Sequence, residues 1–237
     1  MSEARALSLH GISLTIGGHT LFPPLDCTVS ASQAVTVMGP SGCGKSSLLA
    51  CICGTLDKSF AVRGEVRLDG QRIDHLPPEH RGVGILFQDD LLFPHLTVGG
   101  NLAFGLGRHI ASGRAERRRL VEQALAEAGL EGFAGRDPAT LSGGQRARVS
   151  VMRALLAHPR ALLLDEPFSR LDSGLRDRFR RFVFDHARER GLPVLLVTHD
   201  PDDAAAAGGP VIQLGRTPPT DPLAEPAANR AAGDGMA

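Results

Sequence analysis

Four runs of apolar residues lie along the chain. AVTVM (34–38) leads into a glycine-rich segment, and VGILFQ (83–88), ALLLDEP (161–167) and PVLLVTHD (193–200) each end in polar residues. Continuous apolar runs of this length are typical of strands buried on both faces, as in a parallel sheet covered by helices. In open α/β sheets, ligands bind at the carboxyl ends of the strands. The pattern therefore predicts an α/β fold with a ligand site near the polar residues that end the runs, which include Gln88, Asp165, Glu166 and His199.

Other stretches predict the elements around this sheet. Short strands are expected at 7–10 and 13–16, and a strand over RGEVRLDG (63–70) ends in an Asp-Gly hairpin turn. We expect these N-terminal strands to form an antiparallel β subdomain. Residues 46–54 predict a helix closed by its final glycine.

Between about residues 91 and 142 the pattern becomes helical. Leu120, Ala124 and Ala128 lie four residues apart, while arginines and glutamates occupy the opposite face, so the arginine run 117–119 is interpreted as a solvated helix face. We expect a helical subdomain at roughly 89–145, inserted in one domain that spans 5–215. The Pro, Ala and Gly residues of 216–237 leave almost nothing to bury, so this tail is expected to be disordered.

Composition limits the class of protein. The chain has 237 residues, of which 42% are apolar and 22% charged, as in ordinary soluble globular proteins. Its 26 basic and 26 acidic residues give no net charge, which argues against a nucleic-acid partner held by bulk electrostatics. No apolar run approaches the roughly 18 residues of a membrane span. Cys51 and Cys53 lack metal-ligand spacing, and we interpret them as small apolar residues of a buried helix.

A glycine-rich segment follows the first apolar run directly. GPSGCGKS (39–46) matches the pattern G-x-x-x-x-G-K-[ST] and lies between a predicted strand and a predicted helix, as that pattern requires. Glycines let backbone N–H groups converge on a phosphate, while Lys45 reaches the terminal phosphates and Ser46 ligates Mg²⁺. The segment therefore predicts a nucleoside triphosphate site made by Gly39, Pro40, Ser41, Gly42, Cys43, Gly44, Lys45, Ser46 and Ser47.

Two adjacent carboxylates end the third apolar run. Asp165 is placed to hold Mg²⁺ through water, and Glu166 to orient and deprotonate the attacking water. Two groups are needed because a metal-bound carboxylate is a poor base. Asp-Glu-Pro after a strand also suits a helix N-cap with a first-turn acid. Beside the phosphate-binding loop, the catalytic interpretation is favoured.

The segment LSGGQRARVS (141–150) opens another predicted helix with Ser-Gly-Gly. A serine hydroxyl, glycine N–H groups and the helix dipole form a second phosphate cradle. One ATP does not need two cradles from one chain, so each chain is expected to offer its second cradle to the nucleotide of a partner in a head-to-tail dimer. The residues expected to act in this way are Ser142, Gly143, Gly144 and Gln145.

Together these motifs resemble the ATP-binding cassette (ABC) family of transport ATPases over nearly all of residues 5–215. Gln88 matches the family's Q-loop, LSGGQ its signature, LLLDEP its second Walker motif, SRLD (169–172) its D-loop and THD (198–200) its switch histidine. The resemblance implies a P-loop NTPase core that hydrolyses ATP with Mg²⁺, with Lys45, Glu166 and His199 as catalytic residues. It implies that Gln88 ligates Mg²⁺ and links the site to a membrane subunit. It also implies that His199 holds the γ-phosphate and that Asp172 crosses the dimer interface.

Within the family, LFPHLTV (92–98) is similar to the importer form of the Q-loop, which lines a groove for a permease helix. PATLSGGQRARV (138–149) and LLLDEPFSRLD (162–172) look most like ATPases of the thiamine, polyamine and ferric-ion importers. The resemblance implies a nucleotide-bound homodimer, integral-membrane permease subunits and, indirectly, a periplasmic substrate-binding protein. It implies a peripheral position on the cytoplasmic face of the bacterial inner membrane. An ATPase of an exporter, or a regulatory cassette, is the alternative.

Some positions depart from the family or leave two interpretations open. Ile16 stands where the family usually stacks an aromatic residue on adenine, and DPDDAAAAGG (200–209) lacks the Glu-Ala pattern common after the switch histidine. Phe93 and Leu96 suit an exposed partner groove, since exposed apolar patches mark partner sites. The alternative is that they fill the core of the helical segment, since most apolar residues are core, but the groove interpretation is favoured.

Overall fold

The computed structural model describes residues 5–107, 113–169, 171 and 173–215, and strands and helices alternate only from Ala161 onward. The strands are β1 (Ala6–Ile16), β2 (His19–Thr20), β3 (Leu25–Ser30), β4 (Ala34–Met38), β5 (Phe60–Leu68), β6 (Gln71–Arg72), β7 (Val83–Leu86), β8 (Ala161–Asp165), β9 (Val194–Val197) and β10 (Val211–Gln213). The helices are α1 (Lys45–Cys53), α2 (Val98–Gly105), α3 (Arg114–Glu127), α4 (Gly143–Leu156), α5 (Ser173–Glu189) and α6 (Pro201–Ala207). Asp172 and the tail 216–237 lie outside the described residues, and the limits 5–215 and 89–145 stay predictions.

A parallel sheet forms the centre of the fold, as the apolar runs predict. Its strand order is β10-β4-β9-β8-β7, and each neighbouring pair is parallel. Leu162 and Leu164 of β8 belong to a core shared with α4 and α5, whereas Leu163 belongs to a core shared with α1. Because both faces are covered, no polar position interrupts the strand before Asp165.

The register of this sheet aligns the ends of its strands. Asp165 of β8 and Val37 of β4 both pair with Val197 of β9, so these three strands end at the same level of the sheet. Leu86 of β7 is paired with Leu164. The segments that follow these four strands therefore meet at one sheet edge.

The N-terminal strands form a separate antiparallel sheet in the order β2-β1-β5-β6, with β3 paired to β1. The prediction of two short strands at 7–10 and 13–16 is wrong, because β1 continues through a register shift near Gly11. A side chain on Gly64 of β5 would lie 2.5 Å from the Gly11 carbonyl oxygen, so the shift depends on glycine in the opposing strand. The predicted hairpin is present, with Asp69 in a left-handed conformation at the turn between β5 and β6.

Helices α2, α3 and α4 occupy the segment between β7 and β8. Ala124 and Ala128 are buried, as their spacing predicts. Val121 and Leu125 are buried together with them, whereas Leu120 is half-buried.

Arg119 is exposed and pairs with Glu116 at 2.8 Å, in line with a solvated outer face. Arg117, by contrast, is half-buried and donates to the Ala103 carbonyl oxygen of α2, so the prediction for 117–119 is wrong for Arg117. Within the described residues, no helix combines the length and the apolar character needed to span a membrane.

Helix α1 begins at Lys45, one residue before the predicted start, and ends at the left-handed Gly54. Cys51 and Cys53 lie buried on this helix. Burial raises the pKa of each thiol to about 11, because the thiolate is poorly solvated there. Both cysteines therefore act as small apolar residues, as predicted.

Candidate functional site

The glycine-rich segment forms the loop between β4 and α1. Gly42 (φ 77°) and Gly44 (φ 97°) adopt left-handed conformations that side chains disfavour. A side chain on Gly39 would meet the Leu214 carbonyl oxygen at 2.5 Å. The path of the loop therefore depends on its glycines, and it leads directly into a helix N-terminus, an arrangement suited to phosphate.

Lys45 is buried within this loop. Its Nζ donates to the carbonyl oxygens of Gly39 at 2.9 Å and Pro40 at 3.0 Å. The ammonium group thus donates to neutral carbonyl oxygens. An anionic phosphate oxygen is a stronger acceptor for a charged donor, so it can replace them. Cys43 points into the core beside Leu48, so it can meet a ligand only through its backbone.

Two hard oxygen donors meet beside the loop. The Ser46 hydroxyl donates to Asp165 Oδ1 at 3.2 Å. Burial raises the pKa of Asp165, partly offset by the Ser46 hydrogen bond, and the nearby charge of Glu166 adds to the rise. No group of three or more His, Cys, Asp or Glu among the described residues can hold a metal by itself. A hydroxyl and one carboxylate, completed by phosphate oxygens, fit Mg²⁺.

Glu166 and His199 face each other at the same edge. Glu166 Oε1 lies 3.2 Å from His199 Nδ1. The backbone of Glu166 is in a left-handed conformation (φ 46°), and its N–H donates to the Val197 carbonyl oxygen at 2.9 Å. His199 has a side chain 65% exposed to solvent. The hydrogen bond of the Glu166 backbone therefore fixes the residue that carries the carboxylate, while the imidazole of His199 is accessible to a ligand.

Gln88 follows β7 at the same edge of the sheet. Gln88 is exposed and lies two residues after Leu86, the last residue of β7. Leu86 pairs with Leu164, and Glu166 lies two residues after Leu164, so Gln88 and Glu166 occupy equivalent positions after their strands. Within the described residues its side chain makes no hydrogen bond to Ser46 or Asp165. Its ligation of Mg²⁺ stays a prediction.

The signature segment opens α4 with a capping box. Ser142 Oγ accepts from the Gln145 N–H at 3.3 Å, and Gln145 Oε1 accepts from the Ser142 N–H at 3.0 Å. Ser142 and Gly143 are exposed, whereas Gly144 is buried against Leu175 of α5, which occupies the space of any larger side chain. The structure thus presents a free-standing helix N-terminus at Ser142, and it gives Gly144 a packing role that the sequence did not reveal.

A groove lies between the segment after β7 and helix α4, with a volume of about 500 Å³. Phe93 lines it and packs edge-to-face on Phe104, with 4.6 Å between ring centroids. Phe104 is 67% exposed, and Leu91 is also exposed. The backbone of Leu91 adopts a left-handed conformation (φ 46°). Arg153 lies beside the Phe93 ring and donates to the Leu91 carbonyl oxygen at 2.8 Å.

Two of these groove residues were missed in the sequence. Phe104 could have been found, because the buried positions Val98 and Leu102 define the inner face of α2 and Phe104 falls outside it. Arg153 carried no such signal, since its position in the groove depends on how α4 packs. Leu92, by contrast, packs against the helical core rather than lining the groove.

The sequence model of a family described as ABC transporter matches residues 22–169. The "Uncharacterized ABC transporter ATP-binding protein YnjD" of Escherichia coli (strain K12) is 52% identical over 200 residues, which cover 84% of this chain and 91% of that protein. The "Thiamine import ATP-binding protein ThiQ" of Rhizobium meliloti is 42% identical, over 90% of this chain and 87% of that protein.

Two further similarities concern a longer relative and a solved structure. The "Fe(3+) ions import ATP-binding protein FbpC" of Streptomyces avermitilis is 44% identical over 88% of this chain, but the match spans 59% of that protein's length. The fold is similar to that described as "Dimeric Structure of MJ0796, a Bacterial ABC Transporter Cassette". The TM-score is 0.73 at 31% identity, covering 88% of this chain and 94% of that one.

Proposed function

The chain belongs to the ABC transporter family, and from that premise we propose that it is the ATPase subunit of a bacterial importer. As a member of the family it binds and hydrolyses ATP. The proposal adds a head-to-tail dimer, a membrane permease and a direction of transport. The observation that supports a permease partner is the exposed apolar groove lined by Leu91, Phe93 and Phe104.

The loop and the sheet edge divide the chemistry of hydrolysis between them. Lys45 would turn from the loop carbonyls to the terminal phosphates, and Ser46 with Asp165 would hold Mg²⁺. Mg²⁺, when bound, neutralises charge on the transferred phosphoryl group. Glu166 would accept a proton from the attacking water, while His199 would donate a hydrogen bond to the γ-phosphate. Gln88 would be a further protein ligand of Mg²⁺.

The second phosphate cradle supports a dimer with shared sites. Ser142 and Gly143 are exposed at the start of α4, where N–H groups and the helix dipole favour an anion. Two chains arranged head to tail would bring each such terminus to the loop of the other. The dimeric arrangement named for the similar MJ0796 cassette is consistent with this proposal. Asp172 would lie in that interface.

The importer role rests on the relatives and on the groove together. Relatives named for thiamine, Fe(3+) and spermidine/putrescine import span most of this chain. The groove would receive a helix of the permease, which would hold this chain peripherally on the cytoplasmic face of the inner membrane. A periplasmic protein would deliver substrate to that permease, and the substrate we favour is thiamine-like, as named for the ThiQ relative.

Replacing Phe93 with Asp tests the groove. A charge placed in the apolar centre of an interface removes a contact of the kind that dominates binding, so capture of the permease should fall by at least about 30-fold. The tagged protein is incubated with detergent-solubilised membranes of the source bacterium, and retained membrane proteins are quantified by mass spectrometry. ATP binding, measured by calorimetry, should stay unchanged because Phe93 lies outside the nucleotide loop.

Val211→Asp is the matched control, since Val211 is exposed on the edge strand β10 and lies outside the groove. It should retain the same membrane protein as the unaltered chain. Equal retention by folded Phe93→Asp would remove the groove as the docking site. Failure of the unaltered chain to retain any integral-membrane protein would contradict the importer proposal and favour a regulatory cassette.

A further inference from the structure

A buried ion pair lies behind the loop that carries His199. Arg180 of α5 and Asp203 of α6 have side chains only 7% and 4% exposed. Arg180 Nε donates to Asp203 Oδ1 at 2.7 Å, and its Nη2 also contacts that oxygen. Two donors of the planar guanidinium thus converge on one carboxylate oxygen and leave the other oxygen of Asp203 to a different partner.

The other oxygen of Asp203 holds the loop itself. Asp203 Oδ2 accepts from the Thr198 hydroxyl at 2.7 Å, and Thr198 Oγ1 in turn accepts from the Asp200 N–H at 3.0 Å. These two bonds tie the residues on both sides of His199 to the ion pair. Thr198 is fully buried, so the tie is sheltered from water.

A second carboxylate joins the network from the loop. Asp200 Oδ2 accepts from Arg176 at 3.0 Å and from Arg180 at 3.3 Å, while its Oδ1 accepts from the Asp202 N–H at 2.8 Å and caps α6. Arg180 therefore contacts both Asp200 and Asp203, and it also donates to the exposed Asp177 at 3.0 Å. Without Arg180, the buried Asp203 carboxylate would lose its charge partner, whereas Asp200 would keep Arg176.

We propose that Arg180 is a positioning residue for ATP hydrolysis, which sets the place of His199 opposite Glu166 through Asp203 and Thr198. The exposed imidazole has little packing to orient it, so its position 3.2 Å from Glu166 is set by the backbone that carries it. That backbone is fixed by Thr198 and Asp200. The inference rests on the proposed role of His199. It also gives a function to the acid-rich segment 200–203, which departs from the usual family pattern.

Arg180→Met tests the inference. A misplacement of His199 by about 1 Å should lower ATP turnover by about 10- to 100-fold. The affinity for Mg·ATP, measured by calorimetry, should stay within about twofold, because no atom of Arg180 belongs to the nucleotide loop. Arg180→Lys should recover part of the lost turnover, since an ammonium group keeps the charge but lacks the fork that bridges both carboxylates.

Arg181→Met is the matched control, because Arg181 is the next residue of α5 and is exposed. It should leave turnover unchanged. Thr198→Val supplies a second variant if Arg180→Met does not fold, since it keeps the ion pair and removes the two hydrogen bonds of the Thr198 hydroxyl, to Asp203 and from the Asp200 N–H. It should also lower turnover about 10-fold or more with ATP affinity retained.

Turnover of folded Arg180→Met or Thr198→Val within a factor of two of the unaltered protein would overturn the inference. A parallel loss of turnover and ATP affinity would also overturn it, because that result indicates a general structural role. The single variant His199→Ala distinguishes failure of the inference about Arg180 from failure of the proposed role of His199. If His199→Ala keeps full turnover, the role of His199 is wrong; if it loses turnover and the Arg180 variant does not, only the inference is wrong.

Discussion

Glu166→Gln is expected to bind Mg·ATP but to hydrolyse it about 10²- to 10⁴-fold more slowly. The amide keeps the shape of the carboxylate, so the left-handed backbone at Glu166 and its bond to Val197 should persist. It cannot accept a proton from water, which removes the general base while leaving the phosphate loop intact. The unhydrolysed nucleotide should therefore remain bound between two chains and trap a dimer.

Steady-state release of phosphate measures the rate, and size-exclusion chromatography with and without Mg·ATP measures the trapped dimer. Glu131→Gln is the matched control, since Glu131 is exposed in the connection after α3. That control should hydrolyse ATP at the normal rate. Turnover of Glu166→Gln within a factor of two of the unaltered protein would show that another group serves as the base.

Lys45→Ala is expected to lose ATP affinity by about 10²-fold or more. The ammonium group now bonded to Gly39 and Pro40 would transfer to the phosphates, and each hydrogen bond to a charged group contributes about 1.5–3 kcal/mol. Calorimetric titration with Mg·ATP measures the loss. The chain offers an unusually clean control, because Lys58, its other lysine, is exposed and distant from the loop in sequence.

Lys58→Ala should bind ATP with unchanged affinity. Equal affinities for Lys45→Ala and the unaltered protein would mean that Lys45 remains bonded to the loop carbonyls when nucleotide is present. In that case the phosphate charge would be balanced by the glycine-rich backbone and the helix N-terminus alone.

The parallel sheet could be predicted from sequence because burial on both faces leaves a local trace. The residues of β8 and β9 are apolar without interruption, so the positions of both strands are evident. The end of β7 was less evident: the strand stops at Leu86, and Phe87 is exposed. At the sheet edge a strand has one partner, and its length depends on that pairing rather than on its own residues.

The residues of the nucleotide site could be proposed because each follows a strand or a glycine-rich loop directly. Arg180 could not be found in this way, since its partners Asp200 and Asp203 lie 20 and 23 residues later in the chain. Their meeting depends on how α5 packs against α6. The break in β1 was wrongly expected for a related reason, because Gly11 and Gly64 together allow the strand to continue.

The central claim is that ATP is hydrolysed in sites that two chains share, and a mixed dimer tests it most directly. Ser142→Arg blocks the exposed start of α4, and Lys45→Ala disables the nucleotide loop. Each homodimer should be inactive, because both of its sites carry one defect. If the second cradle acts on the partner's nucleotide, a dimer of one variant with the other has one site with both defects and one with neither.

The two variants carry different tags, and the mixed dimer is purified through both in the presence of Mg·ATP before phosphate release is measured. The account predicts that activity returns in the mixed dimer, to roughly half of that of the unaltered dimer if the two sites act independently. Complete inactivity of the verified mixed dimer would contradict it, because signature and loop would then serve the same chain or both sites would have to be intact.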